Sequence, residues 1–292
     1  MVGDVNVDVL VEVRAPFSHA SDTHSSIVTA PGGAAANQAV AMSDAGARVA
    51  IVAAVGSDPL ADAVVAALRA SGVDTGGIQR AAAQTGVVIA LVEPDGQRSM
   101  LTDRGANLDL DPAATASFVG GARSGAHLHL TGYVLYDEAS REAGLAALGA
   151  AREAGMTVSV DGSSAGPLRA AGAGRVAAWC RGADWLTCNL EEAEALTGAV
   201  GPDSAAEGLA ELASEAVVTL GADGVIVVGK GSTVRMPAAH PASVADTTGA
   251  GDAFTGTYLA MRLAGDDVRA SLDAALAASA AVVARRGARE WL

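Results

Sequence analysis

Short apolar runs alternate with alanine-rich stretches along most of this chain. Residues 49–54 (VAIVAA) are typical of a buried strand, and residues 59–71 place Leu60, Val64 and Leu68 four apart, as on one helix face. Strands alternating with helices build a mostly parallel sheet covered on both faces, so the pattern predicts an α/β fold. Further strands are predicted at 156–160, 185–188, 216–220 and 225–228, and further helices at 140–155, within 246–263 and at 267–285.

Two segments, about 9–30 and 86–107, interrupt this alternation. The second contains two apolar runs separated by the turn sequence EPDG at residues 93–96. Neither segment fits a strand–helix–strand unit. We expect them to form a small antiparallel flap beside the main sheet, with two ordinary surface excursions as the alternative. Without a repeat or a low-complexity linker, the chain is expected to form one unit over residues 1–292.

Charge and composition limit the classes of partner. The formal net charge is −14, which disfavours nucleic acid and anionic membrane surfaces, because both attract basic proteins. No apolar stretch reaches the ~18 residues of a membrane-spanning helix. The N-terminal stretch lacks the basic region of a signal peptide. With only two cysteines, Cys180 and Cys188, a reduced cytoplasmic setting is expected.

Polar side chains follow several predicted strands. Asn6 and Asp8 follow the first apolar run, Asp161 follows residue 160, and Asn189 and Glu192 follow residue 188. In open parallel sheets, ligands bind at the carboxyl ends of strands, so these groups would converge on a site for a polyhydroxylated ligand and a metal. Each is equally compatible with a helix cap. Asn189 with Glu192 three residues later matches a capping box, and the sequence leaves both interpretations open.

The strongest local signal is DTTGAGDAF at residues 246–254. It places the amides of Gly249, Ala250 and Gly251 at the N-terminus of a predicted helix, where unpaired N–H groups and the helix dipole stabilise anions. Asp252 lies in the first turn of that helix. It either caps the dipole or takes a proton from an attacking hydroxyl beside a bound phosphate, and these two hypotheses remain open at this point.

Other phosphate and catalytic motifs are missing from the sequence. The only lysine, Lys230, is not part of a GxxxxGK[ST] loop. The third glycine of GxGxxG is replaced by Phe254, and no GxSxG motif occurs. His127 and His129 would share one face of a strand, where a structural pair is favoured over a metal site.

At this point the residues resemble a known family. Residues 246–256 (DTTGAGDAFTG) are similar to the C-terminal signature of the PfkB, or ribokinase-like, carbohydrate kinases, and residues 31–58 resemble their N-terminal signature. NLEE at 189–192 fits the NxxE motif of that family, TLG at 219–221 with Gly224 fits its nucleotide loop, and RRGA at 285–288 resembles its C-terminal segment. The likeness covers essentially the whole chain.

The resemblance implies a Rossmann-like three-layer α/β sandwich with a small β-sheet lid, and an ATP- and Mg²⁺-dependent kinase acting on a sugar hydroxyl. It implies that Asp252 is the base and that the amides of Gly249, Ala250 and Gly251 form the anion hole. It places Glu192 in the Mg²⁺ shell. The remaining implied contacts are Asn189, Thr219, Gly221 and Gly224 for the nucleotide, and Asn6, Asp8, Gly32, Gly33 and Asn37 for the substrate.

Further expectations come from the same resemblance. Lids of this family are often used for dimerisation, so a homodimer through segments 9–30 and 86–107 is expected as one arrangement. A monovalent cation, K⁺, is often bound near the anion hole, with carbonyl groups of Asp246 and Gly287 as candidate ligands. Ala34 stands where the ribokinase pattern GGKGAN has lysine, which weakens ribose as the substrate and leaves kinase activity intact.

Two alternatives to a sugar kinase stay open. A nucleoside kinase of the same fold would need an aromatic clamp for the base, for which Phe17 and Tyr133 are the candidates in a chain with few aromatics. A non-catalytic nucleotide or sugar sensor is the second alternative. The intact GAGD at residues 249–252 argues against a sensor, because a protein without catalytic activity has no need of the base.

Overall fold

A computed structural model of the protein describes residues 1–13, 20–92, 98–229, 231–241, 243–244 and 246–284. Twelve strands lie within these residues, and their valine-rich runs suit strands that are buried on both faces. They are β1 (Asn6–Val13), β2 (Ser25–Gly32), β3 (Ala50–Val55), β4 (Asp74–Arg80), β5 (Gly86–Val92), β6 (Arg98–Asp103), β7 (His127–Thr131), β8 (Thr157–Asp161), β9 (Ala183–Asn189), β10 (Ala213–Thr219), β11 (Val225–Gly229) and β12 (Ser232–Met236).

Most strands belong to one large sheet. Six strands run in the order β12-β11-β10-β9-β8-β7, and β3 and β4 form a separate pair. Val2 joins the two parts through parallel bridges to Val52 and Leu130. From β7 to β10 neighbouring strands are parallel, so their carboxyl ends meet at one edge of the sheet. The predicted α/β class is confirmed.

Helices cover both faces of this sheet. One hydrophobic core contains Leu148, Leu168 and Leu209 from helices on one face, and a second contains Val64 and Leu259 from helices on the other. Asp58 and Asp267 are two of the N-cap residues whose carboxylates accept hydrogen bonds from the first helical turn. The helices are α1 (Ala34–Asp44), α2 (Pro59–Ala70), α3 (Pro112–Gly120), α4 (Tyr133–Tyr136), α5 (Glu138–Glu153), α6 (Ala165–Ala171), α7 (Ala173–Cys180), α8 (Leu190–Thr197), α9 (Pro202–Ala210), α10 (Ala250–Ala264) and α11 (Val268–Val283).

A second, smaller sheet contains four strands in the order β2-β1-β5-β6. It is built from the two segments that interrupt the strand–helix alternation. The flap was predicted to be antiparallel, and that is wrong for one pair, because β1 runs parallel to β5. The predicted turn at 93–96 lies outside the described residues.

Asn6 and Asp8 were predicted to follow a strand, and this is wrong, because both lie within β1. The chain crosses the large sheet only at Val2 and then enters the small sheet at Asn6. The two side chains therefore reach the site from the small sheet. Within the described stretches, no helix is long and apolar enough to span a bilayer.

Helices α1 and α10 pack closely, and a glycine permits this contact. A Cβ atom added to Gly256 of α10 would lie 2.7 Å from Cβ of Ala41 in α1. Such a distance is far below van der Waals contact, so any side chain at Gly256 would push the two helices apart. Because Asn37 and Asp252 lie on these two helices, the same contact sets the distance between them.

We expect Gly256→Ala to lower the free energy of unfolding by about 1–3 kcal/mol, because the added methyl overpacks the interface between α1 and α10. The measurement is urea unfolding followed by circular dichroism. The matched control is Gly149→Ala in α5, where an added Cβ meets no atom within 4 Å. That control is expected to gain up to about 1 kcal/mol, because alanine favours a helix over glycine. Equal losses in the two variants would contradict this account.

Candidate functional site

The N-terminus of α10 presents unpaired amides to a cleft. Gly249 is its N-cap, with a left-handed φ of 78°, and no side chain caps the helix. Among the described residues, the amides of Gly249, Gly251 and Asp252 have no protein acceptor, whereas the Ala250 amide donates to the Thr247 carbonyl at 3.3 Å. A Cβ added to Gly251 would meet open space. This helix end can therefore bind an anion.

Asp252 is held by two amide side chains of α1. Asn37 Nδ2 donates to Asp252 Oδ2 at 2.9 Å, and Gln38 Nε2 donates to Asp252 Oδ1 at 2.9 Å. Burial raises the pKa of Asp252 to about 7, partly offset by the hydrogen bond from Asn37 and reinforced by the charge of Asp161. At this pKa the carboxyl group can accept or release a proton near neutral pH, as a general base must.

Gly33 allows α1 to begin close to the backbone segment that leads into β1. It is the N-cap of α1, with φ of 96°, and an added Cβ would lie 2.9 Å from the Cα of Val5. Only glycine adopts this backbone region without strain. The glycine pair at 32–33 thus sets the start of the helix that carries Asn37 and Gln38.

A smaller cleft of about 190 Å³ lies beside the tip of α10. Its lining includes Asp161, Asn189, Glu192, Thr219 and Asp252, together with Gly249 and Gly251. These residues come from the carboxyl ends of β8, β9 and β10 and from α8 and α10. The parallel strands thus converge at the position that the sequence predicted.

The predicted capping box at the start of α8 is present and lines the cleft at the same time. The Glu192 amide donates to Asn189 Oδ1 at 2.9 Å, and Glu192 Oε2 accepts from the Asn189 amide at 2.9 Å. Burial, followed by the negative charge of Asp161, raises the pKa of Glu192 to about 8. Cap and site are therefore compatible interpretations of the same two residues.

Asp161 is the acidic neighbour of both Glu192 and Asp252. The amide and hydroxyl of Ser163 donate to Asp161 Oδ2 at 3.0 and 2.9 Å, and Ser163 adopts a left-handed φ of 57°. Burial raises the pKa of Asp161 as well. A non-glycine residue in this backbone region is uncommon and is often found at functional sites.

A larger cavity of about 930 Å³ lies under the small sheet. Asn6 and Asp8 of β1, Gly33, Asn37 and Asp252 all line it. Gly32 faces Asp8 so closely that an added Cβ would clash with its carboxylate. Five of the residues predicted to contact the substrate or act on it thus share one cavity.

Residues that the sequence did not single out fix the wall of this cavity. Asn107, which is buried, donates from Nδ2 to Asn6 Oδ1 at 2.7 Å. Arg104 binds the buried Asp4 through Nε and Nη2, with the shortest contact at 2.8 Å. Burial outweighs the effect of Arg104 and raises the pKa of Asp4. Nothing local in the sequence shows that residues 4 and 104 meet, because they belong to distant segments.

The remaining predicted residues are not among those described for the two cavities. Gly221 and Gly224 form the tight turn after β10, with φ of 60° and 100°. The Asp246 carboxylate accepts from the Thr248 amide and hydroxyl, at 2.9 and 2.8 Å. Gly287, the other candidate K⁺ ligand, lies outside the described residues, as does Phe17. His127 and His129 are hydrogen-bonded to side chains of neighbouring elements, as expected of a structural pair.

Comparison with known proteins decides the family. The model of the pfkB family of carbohydrate kinases matches residues 1–292. The chain belongs to this family. A 2-dehydro-3-deoxygluconokinase from Thermoproteus tenax is 32% identical over 269 residues, which is 89% of this chain and 81% of that protein. Fructokinase-1 from Oryza sativa subsp. japonica is 31% identical over 238 residues, which is 80% of this chain and 73% of that protein.

The fold agrees with this assignment. The solved structure of adenosine kinase from Sinorhizobium meliloti matches with a TM-score of 0.88 at 25% identity, covering 100% of this chain and 95% of that chain. The pfkB membership makes the chain an ATP-dependent carbohydrate kinase with a ribokinase-like fold.

The residues of this pfkB protein fit ATP and Mg²⁺. The free amides at the tip of α10 suit a phosphate, and the open space beside Gly251 allows its approach. Glu192 and Asp161 are neighbouring buried carboxyl groups whose charges repel, and a divalent cation would relieve that repulsion. Mg²⁺ commonly uses one or two protein carboxylates together with phosphate oxygens and water.

The pKa of Asp252 makes its expected role as the base testable by pH. If Asp252 takes the proton of the acceptor, kcat/KM for the acceptor should fall about tenfold per pH unit below pH 7, because a protonated Asp252 no longer accepts that proton. The raised pKa values of Asp252 and Glu192 mean that the folded state binds more protons than the unfolded state, so these groups stabilise the fold as the pH falls from about 8. Protonation of Asp252 therefore does not unfold the protein, and unfolding caused by this group would not explain the loss of kcat/KM at low pH. A flat profile down to pH 5 would contradict the assignment.

Proposed function

We propose that this kinase transfers the γ-phosphoryl group of ATP to a hydroxyl of a neutral sugar, with Asp252 as the base that deprotonates this hydroxyl. One observation carries the proposal. Asp252 lines both the larger cavity under the small sheet and the smaller cleft at the tip of α10. A carboxylate at this junction is within reach of an acceptor on one side and of a phosphate on the other.

When bound, ATP supplies the phosphoryl group, and Mg²⁺ neutralises charge on its oxygens. The amides of Gly249 and Gly251, with the positive end of the α10 dipole, stabilise negative charge on the transferred group. Glu192 and Asn189, which line the smaller cleft, would hold the cation, and Thr219, which lines the same cleft, would contact the nucleotide. Gly221 and Gly224 shape the turn that follows Thr219.

In this proposal the acceptor lies in the larger cavity. Asn6, Asp8 and Asn37 bind its hydroxyls, because short amide and carboxylate side chains suit adjacent hydroxyl groups. The reacting hydroxyl donates to Asp252 and loses its proton there as the new O–P bond forms. The small sheet covers the cavity and acts as a lid that keeps water away from the phosphoryl group.

The charges of the cavity favour a neutral sugar over a sugar acid. Asp4, Asp8 and Asp252 line it, and Arg104, the cationic residue among its described lining, is already paired with Asp4. A carboxylate or phosphate on the acceptor would compete with Asp4 for this guanidinium. A neutral polyol needs only the hydrogen-bonding groups that are present.

A nucleoside kinase is the second candidate, because the cavity has an aromatic wall. Tyr133 and Tyr136 line it together with the apolar side chains of Met100, Leu108 and Pro167. Aromatic rings of this kind can stack on a base. Tyr133, which the sequence offered as half of a clamp, is thus part of the cavity.

We expect a panel of acceptors to give the highest kcat/KM for a neutral sugar, measured as ADP release. D-fructose, D-ribose, 2-dehydro-3-deoxygluconate and adenosine represent the competing chemistries.

Asp252→Asn should lower kcat by about 10²–10⁴ because the base is lost, while ATP binding, measured by calorimetry, is kept. Asp273→Asn on the exposed side of α11 is the matched control.

If Asp252→Asn turned over at a rate close to wild type, Asp252 would not be the base. A clear preference for adenosine would replace the neutral sugar by the second candidate. Tight ligand binding with no ADP release from any acceptor would favour a sensor instead.

We further propose that two copies pair through the small sheet. Ile27 and Val28 of β2 are 63% and 57% exposed, and Met100 and Leu101 of β6 are 54% and 56% exposed. Neighbouring residues on a strand point to opposite faces, so both faces of these two strands carry exposed apolar side chains. A second sheet laid over one face would bury that surface.

Sedimentation analysis should give a dimer for the wild-type chain and a monomer for the double variant Ile27→Lys/Leu101→Glu, because charges oppose burial of this surface. The control is Val200→Lys, which alters an 86% exposed apolar residue outside the small sheet. A wild-type monomer at micromolar concentration would refute the pairing.

A further inference from the structure

A continuous chain of side-chain hydrogen bonds leads away from Asp252 into the large sheet. Gln38 Nε2 lies 2.9 Å from Asp252 Oδ1, and Gln38 Oε1 lies 2.6 Å from His129 Nε2. His129 Nδ1 lies 2.6 Å from Ser159 Oγ. The same hydroxyl lies 2.7 Å from His127 Nε2, and His127 Nδ1 lies 2.8 Å from Thr157 Oγ1.

Donor and acceptor roles can be assigned consistently along this chain. The Asp252 carboxylate only accepts, so Gln38 must direct its NH₂ group toward Asp252 and its oxygen toward His129. His129 therefore carries its proton on Nε2 and accepts from Ser159 on Nδ1. Ser159 in turn accepts from His127 Nε2, and Thr157 donates to His127 Nδ1. Every donor in the chain thus points toward Asp252.

The interior of the protein keeps both histidines neutral, as this assignment requires. Burial lowers the pKa of His127 to about 3 and holds the pKa of His129 well below its ordinary value. Gln38, His129 and Ser159 are all nearly inaccessible to solvent. Water does not compete for these hydrogen bonds, and an unpaired group here would be costly.

We propose that Gln38 and His129 are positioning residues for Asp252: His129 fixes the orientation of the Gln38 amide, and Gln38 then keeps the base ionised and aimed at the acceptor. This inference rests on the proposed role of Asp252. If the Gln38 amide turned over, its oxygen would face the carboxylate. The chain opposes this because the turn would also force His129 to carry its proton on Nδ1 and Ser159 to donate to His127 instead.

Other charged groups near Asp252 oppose its ionisation. Asp161 at the end of β8 and Asp8 of β1 raise the pKa of Asp252 through their charges. Glu192 of α8 and Tyr133 of α4 face the same region. The amides of Asn37 and Gln38 oppose these effects and lower the pKa. Loss of the Gln38 donor should therefore leave the base protonated over a wider pH range.

The contrasting interpretation is that these polar groups only satisfy one another in a buried interface between α1 and β7. Both interpretations predict a less stable protein when the chain is broken. Only the positioning role predicts a change in the titration of Asp252 and rescue by a side chain that can donate from the position of His129 Nε2.

The experiment follows the ¹³Cγ resonance of Asp252 over pH in the full chain without ligands, assigned by its loss in Asp252→Asn. Gln38→Met removes the donor at similar size and should raise the pKa of Asp252 by about one unit. His129→Leu should raise it in the same direction. His129→Gln, whose Nε2 can donate to Gln38 Oε1, should stay close to wild type.

The matched control is Gln79→Met. Gln79 also bridges two elements, accepting from the Asp111 amide and donating to Thr115, but it lines neither cavity. It should lose stability without changing the titration of Asp252. A ¹⁵N spectrum of the wild-type chain should show the proton of His129 on Nε2, a result that requires no variant to fold.

Steady-state kinetics with the best acceptor of the panel complete the test. Gln38→Met and His129→Leu should lower kcat at pH 7 and move the acidic limb of the profile upward, with little change in KM. An unchanged Asp252 pKa in both variants, or a proton on His129 Nδ1, would overturn the positioning role. An active Asp252→Asn would instead overturn the proposed base, so the two failures are distinguishable.

Discussion

The site depends on how one carboxylate is kept at the tip of a helix. Asp252 is largely removed from water and lies near other acids, conditions that favour its neutral form. Two amide donors from α1 oppose this effect, and they reach Asp252 only because Gly256 lets the two helices approach. Packing in the core and the charge state of Asp252 are therefore not independent in this protein.

Groups of opposite electrostatic character lie side by side around the two cavities. The N-terminus of α10 is positive, whereas Asp161, Glu192 and Asp252 bring three carboxyl groups together a short distance away. Burial raises the pKa values of these carboxyl groups, and the charge of Asp161 raises those of Glu192 and Asp252 further, so their ionised forms are disfavoured without a cation. A phosphate beside the amides and a divalent cation beside the carboxylates would complete both, which agrees with a nucleotide that arrives together with its metal ion.

The sequence predicted the parts of this arrangement that depend on local pattern. Helix α10, the glycine-rich turn before it and the capping box of Asn189 and Glu192 are all encoded within a few residues. The contacts of Gln38 and Arg104 are not. Gln38 follows Asn37 directly, but it binds the other oxygen of Asp252 and pairs its own oxygen with His129. Arg104 meets Asp4 across about a hundred residues, a pairing set by the tertiary fold.

The small sheet was harder to predict. Alternation of apolar residues indicated strands, but the parallel pairing of β1 with β5 depends on where the chain leaves the large sheet. A single bridging residue, Val2, makes that crossing, so the pattern gave no separate strand to recognise. For this reason Asn6 and Asp8 were placed after a strand rather than within one.

The hairpin of β1 and β2 has a mechanical consequence. Its open end pairs Asn6 with Gly32, so the strand that carries Asn6 and Asp8 returns directly to the glycines that begin α1. A small molecule hydrogen-bonded to both Asp8 and Asn37 would link the small sheet to α1 close to the Asn6–Gly32 pair. A small shift at this end of the hairpin would then become a larger displacement at its far end, so a bound ligand would change the position of the whole hairpin.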